Sequence, residues 1–196
     1  MADDEARGTG VPAPMVIGAT RRWIDTIVVG LELCPFARAV LERELASIVV
    51  IETEDTAEVL QRLADEAAAL LDGDARDATT LLVVPDGFGD FDDYLDLVGV
   101  AEALLEDLGH TGALQIASFH PDYRFAGEAA DDAANCTNRA PFPMLQLLQE
   151  ESVERALARH PDPAGIPTRN TEKLRSLGAT GVRELLAPRT DATRIH

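Results

Sequence analysis

Residues 113–144 read ALQIASFHPDYRFAGEAADDAANCTNRAPFPM. The apolar run Leu114–Phe119 stops abruptly at His120-Pro121-Asp122, as a buried strand does where it meets a turn. About twenty mostly irregular residues follow before Pro141-Phe142-Pro143 opens what reads as a helix. A loop of that length inside a compact chain is usually functional or disordered. Phe119, Tyr123 and Phe125 argue that this one packs.

Upstream, Ser47–Glu52 and Thr79–Val84 have the same strand character, the second stopped by Pro85-Asp86-Gly87. Between them a helix starts from a cap in Thr53–Thr56, carries Leu60, Leu63, Ala64, Ala67 and Leu71 on one face and ends at Asp72-Gly73. Asp90 caps a further long helix that brings in Tyr94, Leu97, Val98, Ala101, Leu104, Leu105 and Leu108 and closes at Gly109. Strands alternating with amphipathic helices make βαβ units with right-handed crossovers. The expectation is an α/β fold: a small three-stranded, mainly parallel sheet covered by helices on both faces.

Extra helices flank this core. Ala13–Leu31 shows helical spacing at Val16, Ile17, Trp23, Ile24, Ile27, Val28 and Leu31. Pro35 punctuates a break, and Phe36–Leu45 resumes as a short helix. Downstream, Pro143–Arg159 reads as a helix and Thr168–Leu177 as a short one ended at Gly178, with a further turn over Thr180–Leu186. The expected organisation is one domain over 13–186, with flexible tails at 1–12 and 187–196.

The 196 residues suffice for one domain, which at this size buries roughly 70% of the surface its unfolded chain exposes. No stretch approaches the roughly 18 consecutive apolar residues of a membrane helix. The start, MADDEARGTGVPAP, is acidic where a secretory signal is basic, so cytoplasmic residence is the expectation. Thirty-five acidic residues against 17 basic give a net charge of −18, a field that repels nucleic acid and anionic membrane. Cys34 and Cys136 are the two cysteines, too few for a disulfide-stapled scaffold. Oligomeric state is not legible.

Ligands in open parallel sheets sit outside the carboxyl ends of the strands, which points to Glu52-Thr53, Pro85-Asp86 and Ser118–Asp122. His120 is the histidine placed for acid–base work, with Asp122 near enough to orient it. The alternative is that both brace the turn through backbone hydrogen bonds. Cys34 precedes Pro35, at or near the N-cap of the following helix, where the dipole would favour a thiolate but Leu31, Leu33 and Phe36 would oppose it. Cys34 and His120 are expected to meet as nucleophile and base. Arg139 and Arg124 could receive an anion, or pair with Asp131 or Asp132; Asn138 and Tyr123 complete the proposed substrate-binding set. A mixed site from Cys34, Cys136, His120 and Asp122 is the metal alternative, but no CxxC or HExxH spacing supports it, and no metal ligands are assigned. The glycine-rich Asp86–Asp90 lacks a phosphate-loop pattern.

LELCPFARAV (31–40), FHPDYRFAG (119–127), the AxNxTNRAPFPM run (133–144) and ESVERAL (151–157) together resemble the bacterial family of domain of unknown function 1415, over roughly residues 15–178. The resemblance implies no established activity, cofactor or substrate. In the family pattern an aromatic residue is common at the place of Cys136 and a histidine at that of Gln146, which removes Cys136 from any shared mechanism and weakens a metal scheme.

Three readings follow. The first is a small-molecule enzyme built on Cys34, His120, Asp122, Asn138 and Arg139. The second is a ligand-binding or protein-interaction module in which those residues only order the loop. The third is a metal- or haem-binding protein.

Overall fold

The computed structural model describes residues 10–187, so the expected tails fall almost wholly outside it. The described residues fold into six α-helices and a four-stranded mixed sheet. In chain order these are α1 (Ala13–Trp23), a π-helical segment (Ile24–Val29), α2 (Ala37–Glu42), β1 (Ala46–Val50), α3 (Thr56–Asp72) and β2 (Thr79–Val83). Then come α4 (Phe91–Asp107), β3 (Leu114–Phe119), a 3-10 turn (Ala133–Thr137), β4 (Met144–Gln149), α5 (Glu150–Arg159) and α6 (Ile166–Leu186).

The sheet order is β1-β2-β4-β3. β1 pairs with β2 in parallel, but β4 is antiparallel to both β2 and β3. The expected three-stranded, mainly parallel sheet is therefore corrected to four strands with two antiparallel ladders. The three expected strands do run in one direction; β4 is wedged between the second and third. Its residues Met144–Gln149 lie in the stretch whose pattern predicts a helix, but the helix proper starts only at Glu150. A central strand explains the misreading. Met144, Leu145 and Leu147 of β4 are fully buried and Gln146, Leu148 and Gln149 partly so, and the polar alternation that marks a half-exposed strand is missing.

Alternate residues feed two cores. On one face Leu82, Val84, Leu145 and Leu147 meet Val59, Leu63 and Ala67 of α3 and Tyr94, Leu97 and Ala101 of α4. On the other, Leu81, Val83 and Met144 meet Val16, Trp23, Ile24 and Ile27 and, from α6, Leu174 and Val182. The caps are local: Asp55 accepts from the Ala57 N–H to start α3, and Asp90 accepts from Asp92 and Asp93 to start α4. Gly178, at φ 71°, breaks α6 where the sequence placed a boundary. Gly30 ends the π segment, and a Cβ there would press on the Thr26 carbonyl. Among the described residues, no helix is long and apolar enough to cross a membrane.

Candidate functional site

The long loop after β3 is tied down by its own polar groups. His120 N–H donates to the Asn138 carbonyl at 3.2 Å and Ala140 N–H to the His120 carbonyl at 3.3 Å, so the loop's two ends pair. Asn135, fully buried, accepts from Phe125 N–H and donates to the Ala129 carbonyl. Tyr123 packs between Phe91 and Phe125, at centroid separations of 5.3 and 5.0 Å.

His120 is fully buried beside the rings of Phe91 and Tyr94. Its Nδ1 accepts the Asp122 N–H at 3.0 Å, which places the proton on Nε2, and Nε2 lies 3.0 Å from the Phe88 carbonyl that receives it. Both ring nitrogens are thus occupied by backbone. Asp122 contributes that N–H, and its side chain points into solvent-exposed turn. Arg139 is spent in the same way: Nε donates to Tyr123 O at 3.1 Å, Nη2 to Ala130 O at 2.6 Å, and its own carbonyl receives the Trp23 indole N–H at 2.8 Å. Arg124 is exposed. The carboxylates of Asp132 and Glu128 pair with Arg175 instead of with either loop arginine. Tyr94 joins the strand ends, donating to Met144 O and accepting from Phe119 N–H, and burial pushes its phenol well above the ordinary value.

The Cys34–His120 couple does not form. His120 faces the α4 side of the sheet, whereas Cys34, half-buried, borders a cavity on the opposite face whose lining does not include His120. Nor does Cys34 cap a helix, since α2 begins at Ala37 after Phe36. Cys136 is buried away from that cavity; burial pushes its thiol up, partly offset by Arg139. Among the described residues no group of three or more His, Cys, Asp or Glu side chains is placed to hold a metal ion.

The cavity measures about 340 Å³ and is mostly apolar. Its floor is the sheet face where Leu81, Gln146 and Ala117 lie side by side on β2, β4 and β3, with Thr79, Leu148 and Gln115 as the next row. Trp23 and Phe119, in edge-to-face contact at 5.2 Å, close one end. The walls are α2, through Val40 and Leu41, and α5, through Val153 and Ala156. Neither helix has a buried residue, although both turn apolar side chains inward.

Polar side chains interrupt this apolar surface, among them the amides of Gln115, Asn138, Gln146 and Gln149 and the carboxylate of Asp77. Thr79 donates its hydroxyl proton to the Leu147 carbonyl at 2.7 Å, so it must accept from Gln146 Nε2 at 2.9 Å. Asn138 Nδ2 donates to the Ser118 carbonyl at 3.0 Å. Both orientations are dictated by their partners, and the carbonyl oxygens of Gln146 and Asn138 take no donor among the described residues. Of the sequence-predicted residues, Cys34 and Asn138 meet here; His120, Asp122, Tyr123, Arg124 and Arg139 do not line it. Gln146 and Thr79 were missed as site residues. Once 144–149 is a strand, a glutamine alternating with Met144 and Leu148 on a buried face is the signal that points to them.

The family model described as "Protein of unknown function (DUF1415)" matches residues 15–184. The chain belongs to that family. No curated protein and no solved structure matches it. In this DUF1415 protein the matched span includes every residue of the cavity and of the loop.

Asp77 bridges the two cavity walls. Its carboxylate accepts from Arg43, just after α2, at 2.6 Å, and from Ser152 and Arg155 of α5 at 3.0 and 2.9 Å. These bonds, led by Arg43, pull its pKa from 3.8 down to about 2.

Proposed function

We propose that this DUF1415 protein binds a small, mostly apolar molecule carrying a hydrogen-bond donor, in the cavity between α2, α5 and the sheet. One observation carries the reading: two amphipathic helices without a buried residue stand over a sheet floor that the protein's own side chains leave uncovered. An apolar wall with no neighbour forfeits dispersion and hydrophobic stabilisation that a ligand would restore. The volume falls at the small end of ligand pockets, roughly 300–1,000 Å³, and the few convergent polar groups are what such pockets use to orient a ligand. Gln146 on the floor and Asn138 elsewhere in the lining offer acceptors suited to an N–H or O–H of the guest.

Binding is favoured over turnover because His120, the histidine expected to serve Cys34, is committed to backbone and does not line the cavity. The test is a fluorescence titration with 1-aminoanthracene, an uncharged apolar probe with one amine donor. A saturable, blue-shifted, one-to-one signal is expected, weakened in Gln146→Leu. No binding up to the probe's solubility limit would overturn the proposal.

A further inference from the structure

The chain contains two His-Pro-Asp turns, and their histidines differ in one respect. In both, Nδ1 accepts the N–H of the aspartate two residues on: Asp122 to His120 at 3.0 Å, and Asp162 to His160 at 3.1 Å. Each imidazole is thereby held with its proton on Nε2. His120 gives that proton to Phe88 O, whereas the Nε2 of His160 has no acceptor among the described residues and His160 lines a second, less apolar cleft of about 730 Å³.

This cleft adjoins the apolar cavity. Cys34 lines both, and Phe36 of the cavity meets the His160 ring edge-on at 6.3 Å. The cleft also departs from the chain's charge balance: Arg38, Arg169 and Lys173 stand against Glu32 and Glu172, three cations to two carboxylates, in a chain with 17 to 35. Arg169 is taken by Asp162, and Lys173 by Glu32 and the Leu31 carbonyl. Arg38 pairs with no carboxylate among the described residues. An unspent guanidinium and a fixed imidazole N–H in one cleft make a donor pair for an oxyanion.

We propose that the ligand of the cavity is a monoanion: an apolar body in the chamber, with a carboxylate emerging past Cys34 to Arg38 and His160. This rests on the binding reading above and adds the charge and the direction of the guest. The local cations are what allow an anion to approach a chain of net charge −18.

Displacement of 1-aminoanthracene by indole-3-butyrate and by its uncharged amide tests it, because the two differ only in the charge of the terminal group. The carboxylate is expected to displace at about ten-fold lower concentration, the value of a charge-assisted hydrogen bond. Arg38→Gln and His160→Phe, each checked by its melting curve, should each shrink that ratio towards one, and Arg38→Lys should restore part of it. Equal displacement by acid and amide, or a ratio unmoved in both Arg38→Gln and His160→Phe, would overturn the anion proposal while leaving the cavity reading intact. Failure of 1-aminoanthracene itself to bind would bring down both.

Discussion

His120 donates Nε2–H to the carbonyl oxygen of Phe88, 32 positions earlier, and so ties the end of β3 to the turn before α4. The same ring accepts the Asp122 N–H, so replacing it leaves two backbone groups without their partner. His120→Leu is expected to cost about 2–4 kcal/mol, seen as a melting temperature lower by roughly 5 °C or more. The folded fraction should still bind 1-aminoanthracene. Unchanged stability with lost binding would mean the histidine acts on the ligand.

Asp77 gives a pH dependence of definite sign. Its folded pKa, about 2, lies below the ordinary 3.8, so the carboxylate's contribution is present above about pH 4 and is lost as pH falls towards 2. Asp77→Asn should therefore lower stability at neutral pH by about 1–2 kcal/mol, screening included, and the gap to the parent protein should close near pH 2. Denaturant melts at pH 7, 4 and 2.5 measure it. A constant gap across those values would assign the effect to packing.

The two thiols should separate by accessibility. Cys34 is half-buried on the cavity rim, and Cys136 is buried with its thiol pushed up. A maleimide should label Cys34 faster, on the order of ten-fold or more, and bound 1-aminoanthracene should slow that reaction. Cys136 labelling first, or Cys34 labelling indifferent to the probe, contradicts the cavity's placement.

The local elements were legible where the pattern was local. Asp90 as a cap, Gly178 as a break and Leu114–Phe119 as a strand are all decided within a few residues. β4 was not, because Met, Leu and Gln favour helices, and only the ladders to β2 and β3 make Met144–Gln149 a strand. That one reading carried the site with it. A helix at 143–159 hid Gln146 from view, and it left the strand-end rule as the guide, which led to His120 and away from the sheet face. The alternative reading of His120 and Asp122, that they brace the turn, describes the bonds they make.

Gly30 is a point where the chain admits no side chain. A Cβ would meet the Thr26 carbonyl, so Gly30→Ala should destabilise by about 1–3 kcal/mol and loosen the Leu31–Phe36 turn that Asn170 and Lys173 hold through the Leu33 and Leu31 carbonyls. A melting curve matching the parent's would refute it.

The most direct test of the proposed binding site is to fill it. Ala117 lies on the floor beside Gln146, and Ala117→Leu would occupy part of the chamber with the protein's own side chain. The free variant is expected to be more stable, by about 1 kcal/mol, and to bind 1-aminoanthracene at least about ten-fold more weakly. A destabilised variant that still binds the probe at full strength would show that ligands do not enter this chamber.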